Sequence, residues 1–230
     1  SVFNASVSLQ SGYYVIQVNG TLNNKSFMIT RNFTIEKNAP KIYKIFPRKN
    51  GFYRDPVEFS IELKTDTGKV NEVLFYLHEI DLRNQTVRFN TTKDCKALDG
   101  QGKIRCKRNV SIGVLQEEIR YYASVRGERL AMNSSMEQFM LDNRIPVFTF
   151  LSPTPQNRFF ERSIPINFVL GEVVDRVEWK DNNQEWKRVC SQCSAYNRKK
   201  ALASGQHHLV FKATDFAGNE AQREFIITIT

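Results

Sequence analysis

The sequence predicts an all-β protein made of antiparallel β-sandwiches strung end to end, the first of them incomplete. Three observations carry that expectation: a long internal repeat, apolar residues alternating with polar ones at period two, and clusters of turn-forming residues between the alternating runs. With 41% hydrophobic and 25% charged residues among 230, composition is that of an ordinary folded domain, which excludes a disordered tail or a low-complexity fibre. No apolar run approaches the roughly 20 residues of a membrane-spanning helix. The opening Ser1-Val2-Phe3-Asn4 lacks the basic and apolar regions of a signal peptide.

The repeat sets the expected domains. Ala39-Pro40 precedes Lys41-Ile42-Tyr43-Lys44-Ile45-Phe46-Pro47, and Ile145-Pro146 precedes Val147-Phe148-Thr149-Phe150-Leu151-Ser152-Pro153; each is followed by turn residues and an alternating strand, at 57–63 and at 164–170. Near the start, Phe3-Asn4, Leu9 and Ser11-Gly12 recur with the same spacing as Tyr196-Asn197, Leu202 and Ser204-Gly205. Each unit closes on an apolar strand, and a short Pro-containing junction suits an extended link between neighbours. The expected division is therefore 1–38, the closing strands of a partial domain; 39–143, a whole domain; and 144–230, a second whole domain.

Strands follow from alternation. In the second unit the runs 57–63, 70–77, 86–90, 104–114, 119–125 and 136–141 qualify. In the third, 147–151 opens the unit; Ile164, Ile166, Phe168 and Leu170 share one face; Val177 and Trp179 precede the turn Asp181-Asn182-Asn183; Trp186 and Val189 resume. A strand near 198–203 follows, then Leu209, Phe211 and Ala213, the turn Asp215-Phe216-Ala217-Gly218-Asn219, and Phe225, Ile227 and Ile229. That makes about seven short strands, the number of an immunoglobulin-like sandwich of two antiparallel sheets.

Net charge is +9, yet its excess is +2, +4 and +3 in the three units. So even a distribution describes a solvated surface better than a nucleic-acid face. The densest basic cluster, Arg198-Lys199-Lys200, is short.

Asn-x-Ser/Thr occurs at Asn4, Asn19, Asn24, Asn32, Asn84, Asn90, Asn109 and Asn133, against about two by chance, which points to a glycosylated exterior protein. The third unit has none. Cysteines fall in two local pairs. Cys95 and Cys106 flank a glycine-containing loop and are expected to form a disulfide contributing at most about 3 kcal/mol. For Cys190 and Cys193 a small-loop disulfide leads; a zinc site with His207 or His208 and a redox dithiol are the alternatives.

Catalysis lacks a motif. The three histidines, His78, His207 and His208, sit in no metalloprotease or nucleophile pattern, and no glycine-rich phosphate loop occurs. No cofactor, no resident metal and no enzymatic activity are expected. The segment 215–219 offers oxygen ligands for calcium, but Asx bonding in a glycine-containing turn accounts for it. Trp179 and Trp186, with the doublets Tyr13-Tyr14, Tyr121-Tyr122 and Phe159-Phe160, are candidates for a sugar-stacking platform; strand alternation sends one ring of each doublet inward.

The run from Leu209 through Asn219 with its following strand resembles the terminal strands of Ig-like repeats in bacterial and archaeal surface proteins. Val177-Glu178-Trp179, Glu185-Trp186, Cys190-x-x-Cys193 and Ser204-Gly205-Gln206-His207-His208 resemble Ig-like domains of archaeal cell-surface proteins. The likeness is good over 144–230, weaker over 39–143, where the Asp-x-Ala-Gly-Asn turn is missing, and partial over 1–38. It implies a cell-surface structural module, an S-layer, stalk, adhesin or filament component, with copies of itself or neighbouring surface domains as partners. The other function classes are a carbohydrate-binding module and an accessory domain of a secreted hydrolase. The first unit is expected either to be completed by another segment or chain through strand addition or to mark a sequence boundary.

Overall fold

The computed structural model describes residues 9–10, 12–22, 25–35, 38–80, 83–155 and 158–230. Every element in them is a strand. Two compact units divide the chain; Met140–Thr230 falls in the second, together with Phe52–Asp55 and Gly113–Glu117.

The strands β1 (Gly12–Leu22) and β2 (Lys25–Ile35) form a two-stranded antiparallel sheet. Then come β3 (Lys41–Phe46), β4 (Phe52–Tyr53), β5 (Val57–Lys64), β6 (Glu72–Ile80), β7 (Arg83–Arg88), β8 (Cys95–Ala97), β9 (Lys103–Val110), β10 (Gln116–Arg126), β11 (Ala131–Asn133) and β12 (Glu137–Asp142). They make two sheets, ordered β3-β5-β9-β8 and β4-β12-β10-β6-β7, with β11 on β10. Alternation explains the core. Val57, Phe59, Ile61 and Leu63 of β5, Phe75 and Leu77 of β6, and Ile119, Tyr121 and Ala123 of β10 are all buried. Phe59 meets Phe75 edge-on at 5.3 Å and Tyr121 at 6.1 Å, which closes one sheet on the other. The Tyr121 hydroxyl donates to the Pro47 carbonyl, so the one polar atom of this buried ring is satisfied.

The last six strands are β13 (Phe148–Ser152), β14 (Arg158–Phe159), β15 (Ser163–Asp181), β16 (Lys187–Ala201), β17 (Gly205–Thr214) and β18 (Glu220–Ile229), ordered β13-β15-β17-β18-β14 with β16 on β15. Here the expectation of separate short strands is corrected. The runs expected at 164–170 and 177–179 are one strand, and the segment around 198–203 is continuous with that before Cys190. Between Leu170 and Val177 no proline or left-handed residue interrupts the backbone. The strand absorbs the change of layer in a register shift between Val169 and Val174.

Once the two long strands are split at that shift, the third unit repeats the second. The first half of β15 lies between β13 and the second half of β16, as β5 lies between β3 and β9. Its second half pairs β17, as β6 pairs β10, and the short β14 and β4 join β18 and β12 in parallel. Phe46-Pro47 and Ser152-Pro153, at the same place in the two repeats, are both cis. Phe150 of β13 packs at 5.0 Å from Phe211 and 4.7 Å from Phe225 across the core.

Candidate functional site

The Cys95–Cys106 disulfide follows from strand register. Cys95 and Cys106 stand directly opposite on β8 and β9 and are bonded. The flanking bonds Leu98 N–H to Lys103 O and Lys107 N–H to Asp94 O place the cysteines at a non-hydrogen-bonded pair, the closer of the two antiparallel spacings. Cys190 and Cys193 are bonded within β16. Gln192 between them has φ 48°, and the bridge spans the place where β16 passes from pairing Val177 to pairing Val174. Each sulfur is bonded to the other, which leaves no free thiolate to ligate zinc.

His207 and His208 point to opposite faces of β17, as strand geometry dictates. His207 is 6% exposed. Its Nδ1 lies 2.8 Å from Asp181 Oδ2, and its Nε2 donates to the Ala203 carbonyl at 2.9 Å. Asp181 is 7% exposed, and its Oδ1 has no hydrogen-bond partner among the described residues. His208 on the outer face meets Glu224 at 3.0 Å. Alternation placed the two imidazoles on opposite faces; the buried pairing with Asp181, 26 residues away, had no local signal.

The sugar-stacking platform is not assembled. Trp179 is 6% exposed and stacks on Phe211 in the core. Trp186 is half-buried, with Lys180 Nζ at 5.2 Å and Lys212 Nζ at 4.8 Å over its ring. The doublets split as alternation requires: Tyr121 is buried, whereas Tyr122 stacks between Tyr76 and His78 on the outer face.

The basic cluster has a structural explanation that sequence reasoning missed. In the second half of β16, Tyr196, Arg198 and Lys200 stand opposite Phe168, Ile166 and Ile164, whose side chains enter the core. Opposed residues share a face, so two cations lie on the core side of β16 at the margin of the sandwich, both still exposed to solvent. Tyr196 lies flat on Phe168 at 5.6 Å, and Lys200 Nζ sits 5.2 Å from the Trp179 ring. The gap they leave between the layers is about 30 Å³, room for about one water. In the second unit the matching positions on β9, opposite Phe59 and Val57, are Arg108, an exposed cation, and Val110, and β9 has β8 as its outer neighbour only at 104–106. Among the described residues β16 has no such neighbour; charged side chains blunt an edge that would otherwise template another strand.

Six glycan acceptors, Asn19, Asn32, Asn84, Asn90, Asn109 and Asn133, are exposed; Asn4 and Asn24 lie outside the described residues. Asn90 also accepts from the amides of Thr92 and Lys93 through Oδ1. In the turn 215–219, Asn219 donates its backbone N–H and its Nδ2 to the two carboxylate oxygens of Asp215, each at 2.8 Å, and Gly218 takes φ 86°. Asx bonding therefore occupies the oxygens a calcium reading needs. Burial pushes the Glu172 carboxyl above its ordinary range, and the charges of Asp142 and Asp215 push the same way against Arg144. Among the described residues no three His, Cys, Asp or Glu gather at metal-binding distance, and no helix is long and apolar enough to cross a membrane.

The strand order defines a class: an all-β protein of tandem immunoglobulin-like sandwiches. No family model matches the sequence, and no curated protein matches it. Among solved structures, the chain is similar to the fibronectin(III)-like modules of Clostridium thermocellum CbhA, at 11% identity over 83% of this chain and 94% of that one, with a TM-score of 0.44. It is similar to the FN1-FN3 domains of chicken CNTN1 at 9% identity, over 94% of this chain and 77% of that one, TM-score 0.41. A tetra-tandem repeat from the extending region of a large adhesion protein matches at 10% identity, over 96% of this chain and 57% of that one, TM-score 0.37. The class assignment rests on the strand order of this chain itself.

Proposed function

We propose that this chain is a non-enzymatic module of a secreted or cell-surface protein, a stalk, S-layer, adhesin or filament component in which tandem sandwiches space and display neighbouring parts. The observation that carries the reading is the sandwich built twice with one strand order, stapled locally by two disulfides, as suits an oxidising compartment. Exposed glycan acceptors support an exterior location. Partners are then neighbouring domains of the same kind or further copies of the chain. The test is protease shaving of intact source cells followed by mass spectrometry. Release of peptides from 41–142 and 148–229, with glycan mass on Asn84, Asn90, Asn109 or Asn133 and no free thiol, is the expected result. Recovery only from the cytosolic fraction, with reduced cysteines and bare asparagines, would overturn it.

A further inference from the structure

The sheet β1–β2 has one face that is apolar and open, and the third unit indicates what covers such a face. The two strands pair over eleven positions, from Gly12↔Ile35 to Leu22↔Lys25. Register sorts their side chains. Gln17, Asn19, Thr21, Ser26, Thr30 and Asn32 lie on one side, interrupted by Tyr13, Val15 and Met28; both described glycan acceptors of the hairpin are there. Tyr14, Ile16, Val18, Phe27, Ile29 and Phe33 lie on the other. Ile16 is 49% exposed, Val18 51%, Phe27 44% and Ile29 48%. The face coheres within itself, since Tyr14 stacks on Phe33 at 5.6 Å and the Phe27 ring lies over Gly20, where any Cβ would collide with it. A lone two-stranded hairpin is nevertheless marginal in water.

The hairpin β17–β18 has the same register at its base. Gly205↔Ile229, His207↔Ile227 and Leu209↔Phe225 correspond to Gly12↔Ile35, Tyr14↔Phe33 and Ile16↔Arg31. There the equivalent face is core: Leu209, Phe211, Ile227 and Ile229 are at most 2% exposed. Strands β13, β15 and β16 cover it, and β15 pairs the free edge of β17 from Arg176↔Thr214 to Asp181↔Leu209.

We infer that the apolar face of β1–β2 is half the core of a further sandwich, and that its occupant is an antiparallel sheet built like β13, β15 and β16, with alternating Val, Ile, Leu and Phe, one strand of which pairs the open edge of β1. The same polypeptide supplies it, N-terminal to the hairpin, because both whole units take their covering strands from the sequence directly ahead of their closing strands. A second copy fits less well. Eleven residues by two strands present a face of about 36 by 10 Å, so two hairpins stacked face to face bury about 700 Å² in total, short of the about 1,200 Å² of a stable interface. The face also carries Lys25 and Arg31 and no acid, so a twofold would bring like charges together. The inference rests on the tandem-sandwich reading.

Hydrogen exchange read by mass spectrometry tests it, on the 230-residue chain and on the polypeptide as its gene encodes it. Peptides within 12–35 are expected to exchange freely in the former and at least about 100-fold more slowly in the latter. Ile16→Asp is expected to abolish that protection while leaving β17–β18 protected, and Asn19→Asp on the polar face to leave it intact. Equal exchange of 12–35 in both forms overturns the inference, as does an encoded polypeptide with nothing ahead of Ser1. Protection that rises with concentration of the 230-residue chain, alongside a sedimenting dimer, overturns it in favour of a second copy. Free exchange of β17–β18 themselves would sink the sandwich reading as well, which separates the two failures.

Discussion

Replacing His207 by leucine tests whether the buried imidazole–carboxylate pair holds the third unit together. The variant loses the 2.8 Å contact to Asp181 and the 2.9 Å bond to Ala203. It leaves a carboxylate that is 7% exposed and whose other oxygen already has no partner among the described residues. Removing one member of a buried pair costs about 3–5 kcal/mol, chiefly because the remaining charge is stranded, so about 3 kcal/mol is expected. Both tryptophans, Trp179 and Trp186, lie in this unit, so their fluorescence in a urea titration reports its unfolding selectively. The double variant His207→Leu/Asp181→Leu removes the stranded charge and is expected to be more stable than His207→Leu alone. A single-variant loss below about 1 kcal/mol, or a double variant whose loss equals the sum of the two single ones, would refute the reasoning.

Glu172, whose carboxyl is raised by burial, favours its protonated form in the fold. The stability this contributes is complete below the unfolded-state value and is lost as pH rises through the folded one. Glu172→Gln is therefore expected to be more stable than the parent at pH 7, by less than about 1 kcal/mol, and equal to it near about pH 3, as read from urea midpoints across pH. The Cys95–Cys106 bridge closes the longer loop, with a separation of 11 against 3. Paired serine replacement should cost about 3 kcal/mol there and about 2 kcal/mol at Cys190–Cys193, and denaturant titration would expose a reversed order. Arg198→Val/Lys200→Val removes two cations from the β16 margin and is expected to give concentration-dependent light scattering from a chain that still folds; unchanged scattering would show that the cations do not protect the edge.

Much of the fold was legible because period two is a local property. Val57, Phe59, Ile61 and Leu63 announce a buried strand face before any partner is known, and the repeated Ala39-Pro40 and Ile145-Pro146 openings announce equivalent units. The boundaries inside the third unit were not legible. Gly171-Glu172-Val173 looks like an interruption in alternation, yet the backbone stays extended and shifts register instead. Trp179 is a candidate for sugar stacking in the sequence because an aromatic beside a turn suits either the surface or the core. Its burial depends on Phe211, 32 positions along the chain, reaching it across the strand pair.

By itself the sequence determined which residues share a face, where turns interrupt them, that one structural unit recurs and that the cysteines form two local pairs. Tertiary structure alone decided which strand becomes an edge. Arg198 and Lys200 stay exposed, as surface charges do, on the side of β16 that faces Ile166 and Ile164; what only the fold shows is that β16 has β15 as its one neighbour among the described residues, whereas β9 pairs both β5 and β8. Alternation along a strand is set by backbone geometry within a few residues; the neighbours of a strand are set by pairings between segments far apart in the chain. The open face of β1–β2 has the same origin: local alternation made it apolar, and only long-range pairing determines what covers it.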